Sequence, residues 1–473
     1  MTQLAESTAH SPQTHSARSL YLALGGTFFL RAGGGVMGIL TGLFLAAKNT
    51  ELGGESHPFH ISATLAGIII ASFFITELAG SFVAGSLIDK HGPRRYMVLG
   101  PLFGAVAMIV TGFLHLGPDS TYIQFVVFLA MLFAARLLEG ASAASANPAS
   151  LTYIAVVTSG HPNLRSRISG LFELATLLGG IVGIVIGGRL WDRFGQAAFL
   201  MNTTLYLISV VFFFSVPLLK VEHKGKSEGH DVKAYRKLLS SPRLRELIPA
   251  WIAVSAWLGV LLNHSTFQLS SAKPVGLSEM GERHIINFPG QTLSHAFTGS
   301  QVGSAFGVYA VAFCIGILIW SLIIPRIRKS TAMLISGVGV IATSIVIGLI
   351  NHTGPIDEQS PIRMVLIGLM IIAVIIESGF TPAALIYLSD ISELHPENRG
   401  MVTGLYSFLL GFGQLLGTII AGPFADWNGV DGLLIIMGIL GLLSIFGVLL
   451  LRRDEQATHE GLAPAATEAV ANS

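Results

Sequence analysis

The chain has 473 residues, of which 52% are hydrophobic and 12% charged, and its formal net charge is +1. That is about half the charged share of an ordinary soluble domain, too little ionic surface to keep a fold of this size in water. The near-zero net charge argues against a nucleic-acid binder, which needs a basic face. The single cysteine, Cys314, rules out a disulfide within the chain and reads as a small packing residue in an apolar run.

Residues 1–18 are polar and rich in Ser, Thr and His, without the short apolar core of a cleavable signal, so 1–19 is expected to be a disordered cytoplasmic tail. Apolar runs then fall at roughly 20–46, 61–88, 96–115, 124–157, 166–188 and 196–219. Each is long enough for a membrane helix, which needs ~20 residues. A polar, basic linker covers 220–246, and six further runs lie near 247–270, 301–325, 331–351, 361–390, 400–422 and 431–451. The expected fold is therefore an all-α polytopic membrane protein of twelve transmembrane helices. It divides into an N-terminal bundle, 20–219, and a C-terminal bundle, 247–453, with a disordered tail at 454–473. The runs 124–157 and 361–390 are overlong and contain Pro148 and Pro382, which predicts tilted or kinked spans. The loop 271–300 has no evident role and reads as a lid or a disordered stretch.

Lysine and arginine set the orientation. With the N-terminus inside, 20 of them fall on the cytoplasmic side and six on the other, while Arg31 and Arg136 lie within spans. This bias predicts a cell-membrane protein with both termini cytoplasmic.

The two halves repeat one another. A shift of 234 residues lays Pro148, Ala149, Leu151 and Tyr153 on Pro382, Ala383, Leu385 and Tyr387. It also lays Gly179, Gly183, Gly188, Asp192 and Gly195 on Gly413, Gly417, Gly422, Asp426 and Gly429. A parallel repeat of six helices predicts a substrate path between the halves, near the bilayer centre.

The loop after the second span reads Gly85-Ser-Leu-Ile-Asp89-Lys90-His-Gly92-Pro-Arg94-Arg95. It resembles the signature loop of the Major Facilitator Superfamily. The fourth span, Arg136-Leu-Leu-Glu139-Gly140, is similar to that family's fourth-helix motif, although Glu139 stands where the family more often has Gln. The fifth span, with Gly179, Gly180, Gly183, Gly187 and Gly188, resembles the glycine-rich motif of drug:proton antiporters but lacks its proline. In the second half Ile323 replaces the equivalent of Asp89. The resemblance implies alternating access by rocking of two bundles. It also implies a conformational latch made of Gly85, Asp89, Lys90, Gly92, Arg94 and Arg95 against the start of the eleventh helix, at 400–404.

Inside the spans, Arg31, Glu77, Arg136, Glu139, Glu173 and Glu377 demand explanation, because a charge at a helix centre costs ~2.5–3.5 kcal/mol on insertion scales. Arg31 and Glu77 lie at similar depth and could pair, while Arg136 and Glu139 share one helix face. Two readings compete for these groups. In one they are ion pairs that hold helices together. In the other, Arg31, Glu77, Arg136, Glu139 and Glu377 line a substrate and proton path. Burial raises a carboxylate's pKa and a nearby arginine lowers it, so a group that changes partner can carry a proton. Glu173 reads as a residue that packs or faces a neighbouring helix, and His264 as an interfacial one near the outer end of the seventh span.

Gly225-Lys226-Ser227 lacks the earlier glycine of a phosphate loop, and no metal-ligand or nucleophile motif is found, so no catalytic residue, metal or cofactor is expected. The expected function is proton-coupled efflux of small hydrophobic or amphiphilic compounds by a monomer, with the substrate, protons and the lipid bilayer as partners. The alternatives are proton-coupled import of a polar metabolite, a sugar or organic acid, and a receptor or scaffold that has lost transport.

Overall fold

The computed structural model describes residues 17–52, 59–159, 161–218, 242–270, 288, 290–354, 360–394 and 399–471. Residues 1–16, most of the expected linker and 271–287 of the long loop lie outside them. The described residues are helical almost throughout, and their one β contact is a bridge between Ser270 and Phe297.

The first half consists of α1 (Ala17–Glu51), α2 (Ala63–His91), α3 (Pro93–Phe113), α4 (Tyr122–Val157), α5 (Pro162–Phe194) and α6 (Ala198–Phe214). In the second half, α7 begins as Pro242–Leu258, passes through a π turn at Gly259–His264 and ends as Ser265–Leu269. It is followed by α8 (Gly299–Ile323) and α9 (Lys329–Asn351). α10 has two pieces, Pro361–Glu377 and Phe380–Leu394. α11 (399–427) and α12 (430–471) run on from each other, interrupted by non-helical Asn428 and Gly429.

Ten helical stretches are long and apolar enough to cross a membrane; Arg167–Phe214 and Phe408–Arg453 each hold two spans, which makes twelve. The two double stretches turn in the same way. Gly195 has φ 54° and ψ −131°, and Gly429 has φ 53° and ψ −132°. Only glycine adopts such a backbone without strain, and the two glycines are equivalent under the shift of 234.

Local chemistry accounts for many of the helix starts. Thr121 with Gln124 and Thr298 with Gln301 form capping boxes at α4 and α8. Proline opens α3, α5 and the first piece of α10, where its missing N–H has no intrahelical role.

The two prolines of the repeat behave differently. α4 continues unbroken through Pro148, whereas α10 breaks at 378–379, just before Pro382. The indole of Trp320 donates to the carbonyls of Ile375 and Ile376 at 3.0 and 3.1 Å. It thereby satisfies acceptors that the break exposes.

Close helix approaches repeat as well. A side chain on Gly183 would meet the Ala32 carbonyl of α1, and one on Gly417 would meet the Ala256 carbonyl of α7. Small residues let these backbones touch, the usual device where helices associate in lipid. Asn202 and Ser209 fasten α6 to carbonyls of α1 at Gly33 (3.0 Å) and Gly26 (2.8 Å). Large apolar side chains such as Leu318, Leu322, Met364 and Phe446 stay exposed on the outside of the bundle. That is the surface a bilayer requires.

α12 is helical as far as Ala471. One expectation is corrected. His264 is not interfacial but wholly buried, because the π turn swings it into the junction of α7 with Gly67 of α2.

Candidate functional site

The two halves meet tightly at one face and part at the other. The larger apolar core joins Leu40, Phe44 and Phe128 of the first half to Trp257, Val302, Phe306 and Ala421 of the second. A separate core, around Trp251, Trp320, Phe380 and Leu409, belongs to the second half alone. α2 shows the transition along its own length. Between Ala66 and Ser72 every residue but Ile68 is buried, whereas between Ile75 and Val83 no described residue is. The face away from the termini is therefore closed, and a cleft opens between the halves toward the termini.

Arg136 is buried at the base of the first half, and its two terminal nitrogens reach three helices, while its Nε has no hydrogen-bond partner. Its guanidinium donates to the Glu139 carboxylate on its own helix, to the Ile70 carbonyl of α2 at 3.1 Å and to the Thr41 hydroxyl of α1 at 3.5 Å. The same group lies 5.3 Å from the Phe73 ring centroid, a stacking contact of real value away from water. Gly140 makes this approach possible, since any side chain there would strike the Phe73 carbonyl. The arrangement fits the ion-pair reading of Arg136 and Glu139: it ties α1, α2 and α4 together.

Arg31 and Glu77 are half-buried beside the cleft, but they form no ion pair, contrary to what equal depth allowed. Depth is readable from residue number, but the rotation of each helix about its axis is set by packing. The anionic groups that act on Arg31 are Glu77 and Glu173, and Arg31 makes no hydrogen bond among the described residues. Glu173 is exposed, and Arg31 has no ion-pair partner among the described residues.

Glu377 sits in the second half at the end of the first piece of α10, only 3% exposed. Its carboxylate accepts from the Tyr309 hydroxyl of α8 and the Thr343 hydroxyl of α9, both at 2.6 Å. No cation pairs with it among the described residues. Close packing holds it there, since Gly339 of α9 lies against the Glu377 backbone. Tyr309 and Thr343 are site residues that the sequence did not single out. Both lie in apolar runs with no charge to mark them, and only helix packing brings them to the carboxylate.

The signature loop is in place at the termini-bearing end of α2, where Gly92 (φ 85°) turns the chain into α3. Asp89, Lys90 and Arg95 are exposed. Arg94 is spent on the Phe214 carbonyl and ring at the end of α6. The expected partner of Asp89, the start of α11 at 399–404, has its side chains outside the described residues.

The sequence profile of the Major Facilitator Superfamily matches residues 23–281 and 275–471. Multidrug resistance protein 1 of Bacillus subtilis (strain 168) is 26% identical over 397 residues, covering 82% of this chain and 89% of that protein. The glucose transporter GlcP of Staphylococcus epidermidis is 20% identical over 88% of this chain and 92% of its own. Among solved structures, the nucleoside transporter NupG superposes with a TM-score of 0.66 at 16% identity, over 92% of this chain and 98% of that one. A profile that spans both halves, the same fold in a solved transporter and twelve spans in two repeated bundles agree: the chain belongs to the Major Facilitator Superfamily.

Proposed function

We propose that this protein is a secondary active transporter that couples protons to the efflux of small hydrophobic or amphiphilic organic compounds by alternating access. Glu377 carries the proposal. A buried carboxyl held by two hydroxyls and no cation can persist as an anion that accepts both bonds or as an acid that donates one. A modest rearrangement at the break in α10 is enough to exchange those states. Arg31 supplies the complementary element in the first half, a cation able to shift between Glu77 and Glu173 as the cleft closes. The direction and the substrate class are supported by the likeness to multidrug resistance protein 1. Placement in the cell membrane as a monomer, with both termini in the cytoplasm, is supported by the charge bias of the loops.

A second reading, import of a polar metabolite, is supported by the likeness to a glucose transporter and by Arg31, whose free guanidinium could hold an anion. Proteoliposomes with an imposed pH gradient separate the two. Protons that move opposite to a lipophilic cation establish efflux, and protons that accompany a sugar, nucleoside or organic acid establish import. Absence of flux with all of these classes would leave the transport-inactive receptor or scaffold standing.

A further inference from the structure

The closed face is held by two carboxylates whose bonds match atom for atom. At the end of α5, Asp192 takes the N–H of Gly299 on Oδ1 and the N–H of Ser300 on Oδ2, both at 2.7 Å. It also accepts the Ser300 hydroxyl on Oδ2. At the end of α11, Asp426 takes the N–H of Ala63 on Oδ1 at 2.6 Å and the N–H of Thr64 on Oδ2 at 2.9 Å. It accepts the Thr64 hydroxyl on Oδ2 at 2.5 Å. Each carboxylate belongs to one half and grips the first turn of a helix in the other: α5 on α8, α11 on α2.

The helix starts are built to receive them. The first three N–H groups of a helix have no partner within it and carry its positive partial charge. In α8 the third is taken by the N-cap Thr298, and in α2 by the N-cap Ser62. This leaves in each helix the first and second, the two that the carboxylate covers. One turn inward, Gly188 lies against Gly299, and Gly422 against Ala63 and Thr64. A side chain at either glycine would strike the opposing backbone. The pattern Gly-x-x-x-Asp-x-x-Gly thus occurs at 188–195 and again at 422–429, and in both copies its last glycine makes the same left-handed turn into the next span. The Asp426 grip borders a small cavity of about 30 Å³, lined by Asn49, His60 and Ala63 among others, with room for a water beside its bonds.

We propose that Asp192 and Asp426 form a paired clasp that holds the face away from the termini closed, and that both grips must release for the transporter to open there. This rests on alternating access, but on neither a particular substrate nor proton coupling. Opening that face separates α5 from α8 and α2 from α11, and each separation exchanges three charge-assisted bonds for bonds to water. The duplicated chemistry makes the two grips equivalent, so the halves release as a unit rather than hinging on one side.

The test uses the full chain in lipid nanodiscs, with Cys314→Ser as background, and reads the rate of modification by a charged thiol reagent. Reporter cysteines are Val302→Cys on α8 and Ala66→Cys on α2, each about one turn inward of a grip and buried in the closed state. Asp192→Asn with Asp426→Asn replaces one acceptor of each carboxylate by a donor that faces a helix N–H, and removes the charge. The double variant should speed labelling of both reporters at least about tenfold, with each single variant giving a smaller rise at both sites. The milder pair Ser300→Ala with Thr64→Ala removes one bond per grip and should give a rise of roughly threefold. Unchanged labelling in folded double variant, or in the milder pair if the first does not fold, overturns the clasp. A rise confined to the reporter beside the mutated residue overturns the coupling of the two grips. No substrate or pH gradient enters the measurement, so a failed flux assay and a failed clasp are separate results.

Discussion

Glu139 and Glu377 are both buried carboxylates within spans, yet their surroundings assign them different duties. Glu139 is bound to Arg136, which in turn holds α1 and α2. Removing one partner of a buried pair strands the other charge and costs about 3–5 kcal/mol. Glu139→Gln should therefore lower the melting temperature of the purified protein clearly, whatever it does to flux. Glu377 has only hydroxyl partners, and glutamine can keep both contacts, accepting from one hydroxyl through its amide oxygen and donating to the other, rotated hydroxyl through its amide nitrogen. Glu377→Gln should leave melting nearly unchanged while reducing pH-driven flux at least about tenfold and sparing substrate exchange at equal pH. The measurements are thermal unfolding in detergent and paired gradient and exchange assays. If neither substitution alters gradient-driven flux, neither carboxylate carries the coupled proton.

At the scale of elements, the glycines divide between packing and turning. Gly183 and Gly417 place α5 on α1 and α11 on α7 with backbone nearly touching backbone. Valine at either position forces the pair apart, and overpacking of this kind costs typically about 1–3 kcal/mol. Gly183→Val and Gly417→Val should each lower the melting temperature, whereas Gly34→Ala, which faces open space, should not. The described end of the long loop also has a defined place. Gln291 bridges the turn at Asn428 and Val430, and the His295 ring donates from Nδ1 to the Ser270 carbonyl at 3.0 Å. Burial pushes the His295 pKa below the ordinary histidine value of 6.5. The unfolded segment binds its proton first as pH falls, so the docking is at full strength above about pH 6.5 and weakens below it. Hydrogen exchange of 290–298, corrected for its intrinsic pH dependence, should show lost protection near pH 5, and His295→Gln should remove that change.

Across the whole molecule, one face is sealed by a shared apolar core and two carboxylate grips, and the other is divided by the cleft beside Arg31 and Glu77. Twelve spans return the chain to the side from which it started. Affinity tags at the two ends should therefore be reached by an impermeant protease from the same side of sealed vesicles, and access from opposite sides would refute the topology. Much of this level was readable in advance. The shift of 234 that matched Asp192 to Asp426 and Gly195 to Gly429 reappears as equal turns and equal bonds. What the repeat could not give was the partner of each aspartate, because Gly299 and Ala63 lie in the opposite half and no local pattern connects them. The same holds for Glu377: its depth followed from counting, but Tyr309 and Thr343 reach it only through the packing of α8 and α9.

The linear order of residues was enough to determine the solvent, the number of spans, the duplication and the presence of charges that need partners. These depend on quantities that accumulate along the chain: apolar length against bilayer thickness, loop charge and period. Tertiary structure alone decided which charges are satisfied and which stand free. Arg136 proved to be bound to three helices through its terminal nitrogens, Arg31 uncommitted, Glu377 held without a cation and His264 buried. Each of those outcomes turns on the rotation of a helix about its own axis, where a single step of the chain carries a side chain about 100° around and from core to cleft.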